Sequence, residues 1–470
     1  MNRTIRRVIA ALGVAFAAVA RADDVIDAAA AEAGVVETSG IETLIEQGLP
    51  PGGALIDGRI RHTVQKGQSL GWLASRYLKF TDYYTTGQLA KAIERDNGLT
   101  RAWLAPGQEI VLPPPRSIPL SARTVPRDRS TPFHGVYVTM TSAGSERILS
   151  LVRQLKPAGL NAVVIDIKDM DGVIAYPTAV PLARAIGAAE RGTIRDLPKL
   201  INLLHAEGIH VIARQVVFYD RYVAQQAPHL ALQSTGGGPW RQHNKQVWAD
   251  PAHPEVQDYN LAIAREAVSL GIDEIQFDYI RFPAEGDTGS IAYSFDIATT
   301  PKHEIITGFL KRAKETLAPM GALVSLDVYG VVAWDEKRDV EITGQRLEDL
   351  GRYADAISPM LYPSHFYPPF DGHNYPAWEP YYFVHQGVLK SARKIGDGGA
   401  VVRPWLQAFP YKVKHRYGPD YVTAQLLASD EVGGLGYLLW NAQNDYDVGL
   451  KGMELWNSQK DRLAEIKAPE

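Results

Sequence analysis

Short apolar runs alternate with amphipathic segments through the C-terminal two-thirds of the chain. Eight runs are predicted to be β-strands, namely 135–140, 162–169, 210–218, 274–282, 323–330, 356–362, 404–409 and 434–441. Apolar residues at helical spacing between them predict helices, including 146–156, 197–207, 255–270, 302–318 and 380–394. This alternation predicts an α/β fold, a (β/α)8 TIM barrel over residues 134–455. A doubly wound open sheet is the alternative, but no strand is followed by its usual glycine-rich phosphate turn.

A compact module with a different pattern, residues 61–113, precedes the barrel. A strand at 62–64 is followed by two amphipathic helices, a turn at 104–108 and a final strand at 109–113. The pattern predicts a small β-α-α-β fold.

The chain begins with the pattern of a secretory signal peptide. Arg3, Arg6 and Arg7 precede an apolar run at 8–20, and the small residues Ala20 and Ala22 supply a cleavage signal. An uncleaved N-terminal anchor is the alternative. The other segments outside the two folded units are a spacer at 23–60, a proline-rich linker at 114–133 and a C-terminal tail at 456–470.

Composition narrows the class of protein. The formal net charge of −4 favours neither nucleic acid nor an anionic membrane as a partner. The chain has no cysteine, which removes disulfides, thiol catalysis and cysteine-ligated metals. With the predicted signal peptide, these features favour a periplasmic or secreted bacterial protein without a permanent membrane span.

The fourth predicted strand carries the most informative residue. Ile275, Phe277 and Tyr279 share one face of this strand, while Gln276 and Asp278 share the other. In a barrel covered by helices, the apolar face packs outward and the polar face points into the interior. An acid at the C-terminal end of a barrel strand indicates a catalytic role for Asp278.

Polar and aromatic residues also occur at the ends of the other strands. Asp327, on the fifth strand, has the same inward parity as Asp278, and two carboxylates across a glycosidic bond are what its hydrolysis requires. We therefore predict Asp278 and Asp327 as the catalytic pair. The predicted substrate-binding residues are Asp166, Lys168, Arg214, Gln276, Arg281, Tyr329, Tyr362, Gln407, Trp440 and, in a loop, Trp240.

Structural roles remain open for the acids. Asp278 could pair with Arg214 or Arg281 inside the barrel, and Asp327 could cap the loop before Trp334. Asp166 could balance Lys168.

Glu285, in the loop after the fourth strand, is an alternative acid.

The long loops favour a sugar as substrate. Segment 233–250 contains Trp240 and Trp248, and segment 362–382 is rich in aromatic residues and prolines. Flat aromatic rings suit the C–H face of a pyranose. Trp440, at the end of the last strand, would form a floor for such a ring.

The N-terminal module resembles a LysM domain. The resemblance rests on Val64-x-Lys66-Gly67-x-Ser69-Leu70 at one end and on Pro106-Gly107-Gln108-x-Ile110-x-Leu112-Pro113 at the other. It implies binding of glycans that contain N-acetylglucosamine, such as peptidoglycan. Two departures are Gln68, where the family usually has Asp, and an insertion at 79–87.

The barrel resembles glycoside hydrolase barrels of the DUF4015 type. The most telling segments are His134-Gly135-Val136-Tyr137, residues 161–169 and residues 271–283. These barrels are similar to the α-amylase-like retaining enzymes, which implies a nucleophilic Asp278 on the fourth strand and an acid at Asp327 on the fifth. The family acid on that strand is Glu. Chitinase-type barrels differ, because their Asp-x-Asp-x-Glu series would end here at Ile280.

The sequence is compatible with three functions. The leading prediction is a secreted glycoside hydrolase for a cell-envelope or extracellular polysaccharide, held on peptidoglycan by its LysM-like module. The second is a non-catalytic glycan-binding or envelope protein on a degenerate barrel. The third, a metal-dependent deacetylase, lacks paired histidines at helical spacing. No cofactor or metal is predicted.

Overall fold

The computed structural model describes residues 45, 47–101, 103–116, 122–334 and 337–467, the last seven by backbone alone. The chain divides into two compact units, Met1–Leu120 and Ser121–Glu470. The predicted signal peptide and most of the predicted spacer lie outside the described residues.

The described part of the N-terminal unit contains a three-stranded antiparallel sheet that packs against two helices. Its elements are β1 Gly53–Ile56, β2 Arg59–Thr63, α1 Leu70–Tyr77, α2 Thr86–Asp96 and β3 Glu109–Val111, with sheet order β1-β2-β3. The predicted β-α-α-β order is confirmed, and β1 is an additional strand. Asp57 and Gly58 join β1 to β2, and both have positive φ, as a two-residue type I′ hairpin turn requires.

Side-chain caps fix the two helices of this unit. Ser69 caps α1 by accepting a hydrogen bond from the backbone N–H of Trp72 at 3.2 Å. Thr85 and Gln88 form a reciprocal capping box at the start of α2. The apolar faces of both helices pack on the sheet around Leu73 and Ile110, which are fully buried.

The C-terminal unit is a closed parallel barrel of eight strands, so the prediction is confirmed. The strands pair in the order β8-β7-β6-β5-β4-β11-β10-β9, and β9 closes the barrel on β8. Their bounds are β4 Phe133–Val138, β5 Ala162–Lys168, β6 His210–Val216, β7 Glu274–Asp278, β8 Leu323–Tyr329, β9 Ala356–Leu361, β10 Trp405–Gln407 and β11 Gly436–Trp440. The seventh strand is interrupted, because a two-residue piece, Val401–Val402, pairs with β9 before β10 does.

Helices surround the barrel. The longer ones are α3 Arg147–Leu155, α4 Leu197–Ala206, α5 Pro254–Ser269, α6 Lys302–Leu317, α7 Pro380–Ile395, α8 Pro419–Glu431 and α9 Asp447–Lys467. The shorter ones are Met140–Ala143, Pro181–Ala185, Arg221–Gln226, Lys337–Thr343 and Leu347–Leu350. The bounds of α3 to α7 agree with the pattern to within one residue at each end. Helix α9 continues past residue 455, where the sequence predicted the barrel to end.

An ionic cluster fills the N-terminal end of the barrel interior. Glu274, the first residue of β7, pairs with Arg403 and accepts a hydrogen bond from His210 at 3.2 Å. Burial opposes ionisation of Glu274, but Arg403 and His210 outweigh it and lower its pKa to about 2. Gln276, two residues further along β7, donates to Ser358 at 3.1 Å and fills the middle of the interior. The next layer, which contains Asp278, lies at the C-terminal mouth of the barrel.

Candidate active site

A pocket of about 500 Å³ opens at the C-terminal ends of the barrel strands. This is the face where barrels of this class carry their catalytic groups. Seven of the predicted site residues line it, namely Arg214, Asp278, Arg281, Asp327, Tyr329, Tyr362 and Trp440.

Asp278 and Asp327 lie side by side in the floor of this pocket. Phe277 of β7 pairs with Leu326 of β8, and each aspartate comes one residue later on its strand. The two side chains therefore point to the interior from strands roughly 4.8 Å apart. Both are buried, at 5% and 1% exposure.

Arg214 of β6 holds Asp278. Its Nε and one terminal nitrogen donate to the same carboxylate oxygen at 2.9 and 2.5 Å, and the backbone N–H of Tyr279 donates to the other oxygen at 2.7 Å. The remaining terminal nitrogen of Arg214 donates to Asp166 at 2.6 Å. Tyr137 donates its hydroxyl to the second oxygen of Asp166 at 2.5 Å. Arg214 thus bridges two carboxylates, and Asp278 pairs with Arg214 rather than with Arg281.

Asp327 has a different environment. Its Oδ1 accepts a hydrogen bond from the indole N–H of Trp405 at 2.6 Å, and among the described residues its Oδ2 has no partner. Burial and the nearby charge of Asp278 raise the pKa of Asp327 well above its usual range, against the opposing effect of Arg214. The raised pKa favours the protonated form of Asp327. Within the described part of the chain, Asp327 makes no hydrogen bond to the loop before Trp334, and Trp334 itself donates to Asp371 at 2.5 Å.

The backbone turns sharply after Asp278, and this overturns one expectation. Tyr279 was predicted to face outward with Ile275 and Phe277, but it lines the pocket. Its φ of 50° ends the strand, so simple alternation no longer applies beyond Asp278. The same turn brings Arg281 and Glu285 to the pocket wall.

Lys168 and Asp166 do not line the pocket. A register irregularity between them turns Lys168 away from the barrel interior. On the outer side of the strand, Lys168 pairs with Asp220 at 2.7 Å and donates to Asn260 at 2.9 Å. Asp166 pairs with Arg214 instead of balancing Lys168, so it supports a pocket residue without lining the pocket itself.

Three further predicted residues lie outside the pocket. Gln276 belongs to the layer below it, as described above. Gln407 is fully buried and donates to the carbonyl oxygen of Phe409 at 2.9 Å, which shapes the loop after β10. Trp240 is buried in its own loop and donates to the carbonyl oxygen of Asp287 at 3.0 Å.

Several pocket residues were missed by the sequence reasoning. They are Met170, Tyr279, Ala284, Gly330, Val331, Met360, His365, Phe366 and Trp405. Trp405 had a usable signal, because it lies two residues before Gln407 and so shares its inward face. His365 and Phe366 belong to a turn after β9, where no periodicity marks the facing side. Glu285, the alternative acid, lines the pocket and accepts a hydrogen bond from Gln242 at 3.1 Å.

Aromatic residues surround the carboxylates. Trp440 stacks on Tyr137 with ring centroids 4.0 Å apart, so one face of its indole is covered. Further out, Tyr375 and Trp378 stack at 4.5 Å and are both exposed. These rings offer apolar faces in and around the mouth of the barrel.

The described residues contain no group of three or more His, Asp and Glu side chains spaced to hold a metal ion. Among the same residues, no helix is both long enough and apolar enough to cross a bilayer.

Comparison with known proteins places the barrel in a family. The family described as "Putative glycosyl hydrolase domain", DUF4015, matches residues 135–446. A hypothetical protein from Ruminiclostridium thermocellum ATCC 27405 is 40% identical, with a TM-score of 0.38, over 41% of this chain and 97% of that chain. No curated protein matches.

A solved glycoside hydrolase domain shares the fold. The glycoside hydrolase domain of PgaB (BpsB) from Bordetella bronchiseptica is 15% identical, with a TM-score of 0.50, over 72% of this chain and 99% of that domain. The spore cortex-lytic enzyme SleL of Bacillus megaterium QM B1551 is 14% identical, with a TM-score of 0.41, over 89% of this chain and 92% of that chain. Since the family match covers residues 135–446, more than half of the chain, the chain belongs to the DUF4015 family.

Proposed function

We propose that this protein is a secreted glycoside hydrolase that cleaves a cell-envelope or extracellular polysaccharide. The observation that carries the proposal is the pair of adjacent carboxyl groups, Asp278 and Asp327, in the floor of a pocket lined with aromatic rings. Glycoside hydrolysis needs two such groups in different protonation states.

The surroundings of the two acids favour opposite roles. Two hydrogen bonds from Arg214 stabilise the anionic form of Asp278, which would attack or electrostatically stabilise the anomeric centre. Asp327, whose raised pKa favours the protonated form, would donate its proton to the leaving oxygen. Its Oδ2 accepts nothing from the described residues and is the oxygen suited to that donation.

The pocket wall would bind the sugar. Tyr329 and Tyr362 supply rings and hydroxyl groups beside the carboxylates, and Trp440 supplies a partly open indole. Burial raises the pKa of Tyr362 well above its usual value, so its hydroxyl stays protonated and can donate to a sugar oxygen.

The N-terminal unit would act as a glycan anchor. Its β-α-α-β order and the motifs at both ends support a LysM-like role, and Trp103 is 74% exposed on this unit. An exposed indole is a common platform for a sugar ring. Tethering of this kind raises the effective concentration of the enzyme at an envelope glycan.

One observation favours a second candidate, a non-catalytic glycan-binding protein. The Arg214 bridge between Asp166 and Asp278 is the kind of buried ion pair that a degenerate barrel could retain. The open pocket beside this bridge, together with the raised pKa of Asp327, favours the hydrolase instead.

The test is release of reducing ends from a panel of purified polysaccharides that includes peptidoglycan, with wild type and Asp278→Asn. The proposal predicts cleavage of at least one polymer, with a loss on the order of 10³-fold in the variant. Absence of cleavage across the panel, with glycan binding intact, would favour the binding protein.

A further inference from the structure

Arg281 is a buried cation in the pocket without an acidic partner. It is 6% exposed and lines the pocket, yet no carboxylate of the described residues lies within ion-pair distance of it. Its one hydrogen bond among these residues goes from a terminal nitrogen to the carbonyl oxygen of Phe282 at 3.0 Å. The other buried arginines of the barrel interior, Arg214 and Arg403, both pair with acids.

Three aromatic rings hold this guanidinium in position. Its central carbon lies 4.4 Å from the ring centre of Tyr329, 4.8 Å from that of Tyr279 and 5.1 Å from that of Trp248. Cation–π contacts stabilise the charge but accept no N–H hydrogen bond, so among the described residues the guanidinium has only the Phe282 carbonyl oxygen as an acceptor. A buried guanidinium normally satisfies its donors with a carboxylate or a phosphate.

The geometry points to Arg281 as the binding site for a carboxylate carried by the substrate sugar, either on the ring of a uronic acid or on an ether-linked acid of an amino sugar. This inference rests on the proposed function and specifies its substrate class as an acidic glycan. A carboxylate matches the flat fork of the guanidinium with two parallel hydrogen bonds. A dianionic phosphate fits less well, because Asp278 and Glu285 line the same pocket.

Ligand-detected saturation-transfer NMR on the full-length protein tests this directly, since it reports millimolar binding and needs no catalysis. The probes are glucuronate, galacturonate and N-acetylmuramic acid, each beside its neutral counterpart glucose, galactose or N-acetylglucosamine. We expect at least one acidic sugar to bind about 10- to 100-fold more tightly than its neutral counterpart, as loss of a bidentate charged contact implies. Equal binding of each pair, or no binding of any acidic sugar, would overturn the inference.

Variants separate the role of Arg281 from general charge. Arg281→Gln should abolish the preference, and Arg281→Lys, which keeps the charge but not the fork, should weaken acidic-sugar binding. Arg416→Gln is the matched control, because it removes an exposed arginine that stacks on Trp378 on the barrel surface. It should leave the preference unchanged. If Arg281→Gln fails to fold, undiminished acidic-sugar binding by Arg281→Lys overturns the assignment.

The remaining outcomes are distinguishable. Glucose 6-phosphate that binds more tightly than glucuronate would overturn the choice of carboxylate over phosphate. Acidic sugars that bind while no polysaccharide is cleaved would overturn the proposed hydrolase and leave this site standing. Cleavage of neutral polysaccharides without any preference for acidic sugars would overturn only the present inference.

Discussion

Asp278 and Asp327 are chemically identical side chains on neighbouring strands, and their partners make them different. Arg214 donates two hydrogen bonds to Asp278, whereas Asp327 receives one from the neutral indole of Trp405. The charge of Asp278 in turn helps burial to raise the pKa of Asp327. Asp278 thus supports the role proposed for Asp327, as in other pairs of carboxyl groups in one site.

A proton-donor role for Asp327 predicts a specific pH dependence. Because its folded-state pKa is raised, the active acid form persists above the usual aspartate range, and kcat/KM should fall as pH rises through the raised pKa. Asp327→Asn should lose roughly 10²- to 10⁴-fold in activity on polysaccharide. Aryl glycosides with good leaving groups need no proton from the enzyme. For these substrates kcat/KM of the variant should therefore be close to that of wild type, and it should not fall as pH rises. An equal loss on both kinds of substrate would contradict the donor role.

At the scale of the element, strand β7 supplies one residue to each layer of the barrel interior. Glu274 anchors the closed end, Gln276 fills the middle and Asp278 reaches the pocket. The stability of the closed end and the chemistry of the open end are therefore carried by different residues of one strand.

The ion pair at the closed end should stabilise the fold without direct contact with substrate. Glu274→Gln leaves Arg403 buried without its anionic partner and should lower the free energy of unfolding by about 3–5 kcal/mol near neutral pH. The pKa of Glu274 is lowered, so its contribution is present above the unfolded value near 4.5 and is lost as pH falls toward about 2. Denaturant unfolding at several pH values should show the two proteins converging at low pH. The exposed pair of Glu207 with Lys156 supplies the control, since Glu207→Gln should cost no more than about 1 kcal/mol.

The sequence predicted the barrel well because its strands and helices have distinct periods. It predicted the pocket less well, since alternation holds only while a strand stays regular. The positive φ of Tyr279 and the irregularity before Lys168 each reverse which way a side chain points. Strand β1 was not predicted, although Asp57-Gly58 is a hairpin signal. The residues before this turn, Gly53–Ile56, do not alternate between apolar and polar side chains.

The sequence could not predict contacts between strands that lie far apart along the chain. Arg214 meets Asp166 and Asp278 only because β5, β6 and β7 are neighbours in the closed sheet. Their positions near strand ends put all three in the predicted site, but position could not distinguish a pocket residue from a supporting residue. Asp166 was for this reason predicted as a substrate contact.

At the scale of the whole molecule, two compact units divide the proposed work. The barrel would hold the chemistry, and the N-terminal unit would hold the envelope glycan. The two activities should then be separable by substitution, because no residue proposed for one belongs to the other unit.

Trp103 provides the test of that division. In the full-length protein, Trp103→Ala should reduce co-sedimentation with purified peptidoglycan by about 10-fold, because an exposed ring of this kind contributes on the order of 1–2 kcal/mol to sugar stacking. Hydrolysis of soluble oligosaccharides should be unchanged. Ile56→Ala, at another exposed apolar position of the same unit, is the control and should bind normally. Undiminished sedimentation of Trp103→Ala would remove the indole from the proposed glycan site.

The central claim is that Asp278 is a catalytic carboxylate and not merely a partner of Arg214. The most direct measurement compares kcat/KM for Asp278→Asn and Asp166→Asn on the cleaved polymer, with thermal unfolding of both. Each variant removes one carboxylate from the same guanidinium, and thermal unfolding measures any difference in structural cost. We predict a loss on the order of 10³-fold or more for Asp278→Asn and about 10-fold or less for Asp166→Asn. Equal losses in the two variants would contradict the claim and assign Asp278 to the ion pair alone.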